Sequence, residues 1–545
     1  MIFSKIVILS FIVNLTKEEN MKSTLRSMLT LGLTVLLAGA FSACGTLCSK
    51  KEEKKDCPAK KDAKACPAKK APAKKAAVKK AAPAKKAAVK KVVKPFAVKV
   101  AINKKGGVYK VGEKAVFTIS FLKDGKPFAG QKMGYFLTKP GAISRELVLF
   151  TSTVKPHVVT VPMTKGGVAR IEVAAREDSK KIMTFTDSSG KKYRVTAAIG
   201  AIAAPETFKA GLAEPADFLT FWKNGKAALA KVPVKALERK KITYRNKRIN
   251  VWDVKVQCLG DKPVSGYLAI PAGAKKKSLP AIVYFHGAGV YSSSVSPDYK
   301  AITFNVNAHG IANGQKRDFY AKLRNAELKN YAHKASNDRE KFYFRNMFLR
   351  VQRALDYVKT LPEWNGKDLV VYGGSQGGAQ ALVAGGLDPQ VTLLYAAVPA
   401  MCDHGGILKG RISGWPRLIR AKGGKATDPN VVKTAAYYDC ALFAKYIKAE
   451  SYLTVGLMDN TCHPTSVYAA FNNIRSKKHI TVCPDKAHGG TYSVAFVRRL
   501  SQVKGISAKK ATVKAKKAPA KKATVKAKKA PAKAAAPAKK ATVKK

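Results

Sequence analysis

The feature that most constrains this chain is an alternation between about residues 205 and 503, where short apolar runs recur with helix-length stretches between them. "PAIVYFHG" (280–287), "AITFNVNAHG" (301–310), "DLVVYGGS" (368–375), "VTLLYAAVPA" (391–400), "SYLTVGLMD" (451–459) and "HITVCP" (479–484) are largely continuous apolar runs. Stretches such as "YFRNMFLRVQRALDYVKTL" (343–361) and "HPTSVYAAFNNIRS" (463–476) read as helices. Continuous apolar strands joined by helices imply a parallel sheet covered on both faces. Ligands on such sheets bind beyond the carboxyl ends of the strands.

The segment from about 96 to 195 has another pattern. "AVKVAINKK", "AVFTISFLKDGKPFAGQKMGYFL", "HVVTVPM" and "VARIEVAARE" are β-rich, and Asp124-Gly125 supplies a hairpin turn. The expected architecture is a small all-β, immunoglobulin-like sandwich over 96–200. It is followed over 201–503 by an α/β domain with a doubly wound, mostly parallel sheet. No catalytic cluster falls in the sandwich, which leaves it as a carbohydrate-binding module, a spacer or a packing partner.

Charge matters because of where it lies. The formal net charge is +68, of which residues 50–99 carry +15 and residues 504–545 carry +16, so the folded middle is basic as well. "PAKKAAVKK" repeats at 72–80 and 83–91, and "ATVKAKKAPAK" at 511–521 and 523–533. Segments so poor in large apolar side chains cannot offset their ordering entropy, so 44–95 and 504–545 are expected to be disordered. Such tails suit an electrostatic tether to an anionic polymer or cell surface, the alternative being a solvated spacer.

Met21 to Arg26, the apolar "MLTLGLTVLLAGA" (28–40) and "FSAC" (41–44) are expected to form an export signal within 1–43, with Met21 as the expected translation start. The signal resembles that of bacterial lipoproteins. It implies Cys44 as the lipidated first residue of the mature chain and hence a membrane anchor in the cell envelope. Phe41 stands where Leu is usual, which leaves cleavage after Ala40 or Ala43 with secretion, or a plain N-terminal anchor, as alternatives. Five of the nine cysteines, Cys258, Cys402, Cys440, Cys462 and Cys483, lie in the folded middle without a CxxC pair. That argues against a zinc ribbon or a full disulfide framework and for buried free thiols.

The candidate chemistry begins at Gly373-Gly374-Ser375-Gln376-Gly377, where an apolar run meets a helix-compatible one. A serine hydroxyl is a weak nucleophile unless a base takes its proton and an acid orients the base. On a parallel sheet the partners should end two later strands in the order Ser, acid, His. Asp459 ends "SYLTVGLMD", and His488 follows the next strand in "HITVCPDKAHGG". His309, His333 and His404 precede Asp459, while His463 and His479 sit at the starts of a helix and a strand; Asp439 and Asp485 are the competing acids. Two oxyanion donors are also needed. They are expected at the N–H of Gln376 and, after "YFHG" (284–287), at that of Ala288, with Gly289 as the alternative. Nothing in this set implies a metal or organic cofactor.

These residues sit within "PADFLTFW", "VSGYLAIPAG", "FHGAG", "GGSQGGAQAL", "LDPQVT", "VPAMCDH", "YYDCALFAKYIKAE", "VGLMDNTCHPTSVYAAFN" and "AHGG". So equipped, the chain from about 205 to 503 resembles acetyl xylan esterases of the cephalosporin C deacetylase type (carbohydrate esterase family 7), with an α/β-hydrolase fold. The resemblance implies removal of O-acetyl groups from an oligo- or polysaccharide through an acetyl-enzyme, with Ser375, Asp459 and His488 as the triad and Ala288 and Gln376 as oxyanion donors. It also implies a homo-oligomer, many members forming ring-like hexamers. Ala288 stands where many members have Tyr, and "NAHGIANGQ" (307–315) where they have an Arg-Gly-Gln-Gly motif. Two other readings stay open: a hydrolase of another ester or of peptides, and a polyanion-binding surface protein with a vestigial hydrolase domain.

Overall fold

Alternating side-chain burial sorts the first strands into two sheets around one core. The computed structural model describes residues 95–187 and 190–505. The expected export signal, Cys44 and nearly all of both Lys/Ala/Pro-rich tails lie outside the described residues.

The first sheet joins β1 (Phe96–Ile102) to β3 (Lys114–Lys123), which also pairs with β4 (Lys126–Pro127) and β7 (His157–Pro162). The second runs in the order β2 (Val108–Tyr109), β11 (Thr196–Ala203), β8 (Gly167–Ala175), β5 (Lys132–Thr138), β6 (Glu146–Thr151). A ribbon of β9 (Thr184–Thr186) and β10 (Lys192–Arg194) lies beside them in sequence. On β3 the residues Ala115, Phe117, Ile119 and Phe121 turn inward at a period of two, into a core shared with Ile171 and Val173 of β8. Asp124 and Gly125 both take positive φ between β3 and β4, as a two-residue hairpin turn demands. Two strands carried little sequence signal: β6 leaves Leu147 and Leu149 exposed, and β11 is built mostly from small residues. The latter ends at Ala203, three residues beyond the expected boundary at 200.

The next sheet has nine strands, in the order β12 (Ala236–Ile242), β13 (Ile249–Val256), β14 (Val264–Pro271), β16 (Ile302–Val306), β15 (Leu279–Phe285), β17 (Trp364–Gly374), β18 (Leu393–Ala397), β21 (Glu450–Gly456), β22 (Lys478–Cys483). A small ribbon, β19 (Ala421–Lys422) with β20 (Lys425–Ala426), stands apart. Pairing from β16 through β22 is parallel, whereas β12, β13 and β14 add antiparallel strands, so the sheet is mixed.

One face of this sheet, through Val283, Phe304, Val371, Leu394 and Leu453, packs on α1 (Phe218–Ala230), α3 (Tyr343–Lys359), α4 (Gln376–Leu387), α6 (Cys440–Phe443) and α7 (Pro464–Asn473). The opposite face, through Ile282, Val370, Leu393, Tyr395 and Tyr452, meets Phe496 of α8 (Val494–Val503). The short α2 (Arg317–Asn325) and α5 (Pro429–Tyr437) complete the α-helices of the described residues. Consecutive residues of one strand thus serve opposite faces, which is why these strands are apolar without a break.

Candidate active site

Ser375 is the sharp turn between β17 and α4, at φ 56° and ψ −124°. Such a backbone is strained for a residue with a Cβ, by about 1–3 kcal/mol, and the surroundings hold it. Ser375 N–H donates to the Ala397 carbonyl (2.9 Å), and its own carbonyl accepts from Ala379 and Ala400 (both 3.0 Å). The flanking glycines are steric requirements. A Cβ on Gly373 would lie 2.1 Å from the Gly377 carbonyl oxygen, and one on Gly377 would lie 2.1 Å from that of Phe285.

The parallel neighbours β21 and β22 deliver the partners. Asp459 follows β21 by three residues and is fully buried. Its Oδ1 accepts from the N–H groups of Thr461 (2.7 Å) and Cys462 (3.0 Å), and its Oδ2 accepts from Nδ1 of His488 (2.8 Å). The other ring nitrogen, Nε2, is 2.9 Å from Ser375 Oγ. With Nδ1–H directed at the carboxylate, Nε2 carries the lone pair that faces the serine hydroxyl. The His488 side chain is 29% exposed, so the site opens to solvent at the base.

Beside the serine lies the loop after β15, brought there because Phe285 pairs with Gly373 across the sheet. The Gly287 carbonyl is held by Nδ1 of His286 (2.7 Å) and the hydroxyl of Tyr291 (3.1 Å). His286 is itself pinned, its Nε2 accepting from Ala308 N–H (3.0 Å). In a trans peptide the carbonyl and the following N–H point opposite ways, so fixing the Gly287 carbonyl fixes the direction of Ala288 N–H. Among the described residues neither Ala288 N–H nor Gln376 N–H has a protein acceptor. The alternative donor, Gly289 N–H, is taken by the Tyr331 hydroxyl (3.3 Å). The Gly289 carbonyl accepts from His309 Nε2 (3.2 Å).

His286, His309, Tyr291 and Tyr331 were not assigned roles from the sequence, and they form the frame of this loop. Burial lowers both histidine pKa values, that of His309 to about 3, so their rings stay neutral and keep one donor and one acceptor each. A histidine immediately after an apolar strand is the one signal that could have pointed to His286.

Apart from His309, competing residues serve elsewhere. Asp439 is buried and accepts from the N–H groups of Asp403, His404 and Ala441 at 2.8–2.9 Å, which makes it a turn-holding acid. His463 bonds Thr465, and His479 bonds Glu450. All five cysteines of the described residues are free thiols, and four are buried. Asp459, Cys462 and His488 bring one metal-type ligand atom each to within 4.8 Å of one another. Burial pushes the Cys462 thiol well up, and both oxygens of Asp459 are already engaged as a triad requires.

A mostly parallel sheet bearing a serine at a strand-to-helix elbow, with acid and histidine following in chain order from the next strands, defines the α/β-hydrolase class. Within it the chain belongs to the acetyl xylan esterase family and is a carboxylic-ester hydrolase: the family profile (Acetyl xylan esterase, AXE1) matches residues 202–502. The acetyl esterase Axe7A of Xylanibacter ruminicola is 30% identical over 406 residues, covering 73% of this chain and 88% of that protein. Among solved structures, the acetyl xylan esterase from Paenibacillus sp. R4 is similar at 25% identity and TM-score 0.46, over 56% of this chain and 98% of that one. Acetyl xylan esterase 1 from Thermoanaerobacterium sp. is similar at 22% identity and TM-score 0.45, over 55% and 96%.

Proposed function

We propose that this protein is an exported serine esterase that removes O-acetyl groups from an oligo- or polysaccharide by way of an acetyl-enzyme. The observation that carries the reading is the relay from Ser375 Oγ to His488 Nε2 at 2.9 Å and from His488 Nδ1 to Asp459 Oδ2 at 2.8 Å. Family membership and the acetyl esterase relative support acetyl as the acyl group and a carbohydrate as its carrier.

Ser375 Oγ attacks the acetyl carbonyl as His488 Nε2 takes its proton. The carbonyl electrons move onto oxygen, where the N–H groups of Ala288 and Gln376 receive the charge. His488 then gives its proton to the sugar oxygen as the C–O bond breaks, leaving acetate esterified to Ser375. Water, deprotonated by the same histidine, attacks that ester, and as the second oxyanion collapses His488 returns the proton to Ser375 Oγ, freeing the serine and releasing acetate. Asp459 keeps the productive tautomer and stabilises the imidazolium that forms twice per turnover. Each oxyanion donor of this kind is worth about 3–4 kcal/mol in the transition state.

The wider reading completes this. Cys44 is the lipidated residue of an envelope-anchored enzyme, the Lys-rich tails hold it near an anionic polymer or cell surface, and the chain associates with copies of itself. The sandwich is immunoglobulin-like, supported by its pairing of β1-β3-β7 against β11-β8-β5-β6. Acetate release from 4-nitrophenyl acetate and from acetylated xylan, wild type beside Ser375→Ala, tests the chemistry. Turnover by the wild type alone is expected. Equal turnover by a folded Ser375→Ala removes the serine from the mechanism, and wild-type activity on longer acyl esters or peptides in preference to acetylated sugars removes the proposed substrate class.

A further inference from the structure

Arg170 lies on β8 of the sandwich, nearly three hundred positions before the triad acid, yet only 4% of it is exposed. Its Nε donates to the Leu457 carbonyl (2.7 Å), its Nη2 to the Asp459 carbonyl (2.7 Å) and its Nη1 to the side-chain oxygen of Asn460. All three acceptors belong to the turn after β21 that carries Asp459. A guanidinium offers its donors in a rigid planar fork, so it dictates the arrangement of the groups it binds. Charged donors also make bonds roughly twice as strong as neutral ones. Burial lowers the Arg170 pKa to about 10 while the Asp459 carboxylate opposes that shift, so the side chain is cationic across the neutral range.

The same sandwich edge reaches the histidine loop. Gly200 N–H on β11 donates to the Pro484 carbonyl (2.8 Å), four residues before His488. Gly200 also lets this edge press on the acid turn, for a Cβ there would lie 2.7 Å from Leu457 Cβ. The two loops are laced together by Leu457 N–H to the Cys483 carbonyl and Met458 N–H to the Lys486 carbonyl, both 3.0 Å. Val168 and Ile202 of the sandwich are buried in the core of the α/β domain. A module on a tether would meet its neighbour through a modest, largely polar interface. Here a buried arginine and apolar side chains enter it.

We propose that the β-sandwich is a working part of the active site, with Arg170 as a positioning residue that sets the Asp459 turn and, through it, the His488 imidazole. The proposal rests on Asp459 being the triad acid. An acid oriented toward the histidine gains most when the imidazolium forms, so loss of Arg170 acts on kcat and kcat/KM together and spares KM.

The test uses the full chain with 4-nitrophenyl acetate and compares Arg170→Met, Arg170→Lys, Phe117→Leu and Asp459→Asn. Phe117 is buried in the sandwich core, away from the junction, and reports a purely structural loss. Arg170→Met is expected to lower kcat by about 10- to 100-fold, the scale of a small misplacement of a catalytic group, with KM within about twofold. Arg170→Lys keeps the charge but not the fork and falls between. Phe117→Leu lowers Tm and leaves kcat unchanged well below its melting point. A folded Arg170→Met with wild-type kcat, beside an inactive Asp459→Asn, overturns the proposal and leaves the triad standing. Wild-type activity in Asp459→Asn overturns the triad reading itself. Should Arg170→Met not fold, Arg170→Lys and Gly200→Ala, whose Cβ strikes the same turn, take its place; wild-type kcat in both overturns the proposal.

Discussion

The Tyr331 hydroxyl donates a 2.6 Å hydrogen bond to Oε1 of Gln376 and receives the Gly289 N–H at 3.3 Å. One buried phenol thus joins the residue after Ser375, the proposed nucleophile, to the loop that carries Ala288, the second proposed oxyanion donor. Tyr331→Phe keeps the ring and its packing but strands a buried amide oxygen, at a cost of about 1–3 kcal/mol. The expected result is a lower Tm and a roughly 5- to 50-fold lower kcat, because the two proposed oxyanion donors, Gln376 and Ala288, no longer share a brace. Steady-state kinetics with melting curves check this; wild-type kcat in the variant removes the brace from the account.

Gly377→Ala tests the elbow. The new Cβ would meet backbone, the carbonyl oxygen of Phe285 at 2.1 Å, rather than the flexible end of a side chain. Either α4 or the end of β15 must move, and β15 leads into the loop that carries Ala288. Overpacking of this kind costs about 1–3 kcal/mol or more. The variant should melt lower and lose most of its esterase activity, and a soluble, fully active Gly377→Ala would show that the elbow has slack.

Glu450 offers a test by pH. It begins β21 and is met by Lys477, His479, Arg499 and the Tyr452 hydroxyl at 2.8–3.2 Å. Burial alone would raise its carboxyl, but the donors from Arg499, Lys477, Tyr452 and His479 outweigh it and hold the pKa at about 2, below the ordinary 4.5. A carboxylate depressed in the folded state contributes stability above its unfolded pKa and loses it as pH falls through the folded one. The Tm gap between wild type and Glu450→Gln should therefore be full at pH 7 and close between about pH 4.5 and pH 2. Melting curves at pH 7, 4 and 2.5 check it, and a gap that does not narrow in acid would sink the idea.

Much of the α/β fold was legible before any tertiary contact was known, and so was the chain order of the residues proposed to react. Ser375 is announced locally, since the glycines that a strand-to-helix elbow needs stand at fixed offsets from it. Asp459 and His488 each follow an apolar run, and parallel sheets gather the residues that end their strands. The antiparallel strands β12 to β14 were less legible, because β12, "ALERKKI", carries mostly polar side chains at the sheet edge.

The sequence by itself determined the period of most elements, the chain order of Ser375, Asp459 and His488 proposed as nucleophile, acid and base, and the need for glycine at 373, where a Cβ would meet Gly377 only four residues on, because each of these is a pattern along the chain. Tertiary structure alone decided that Arg170 of the sandwich would bind the Asp459 turn. It also decided that His286, His309, Tyr291 and Tyr331 would hold the loop bearing Ala288. A buried hydrogen bond is specified by where two distant segments meet and by the need to satisfy every polar group taken out of water, and no periodicity along the chain records that meeting.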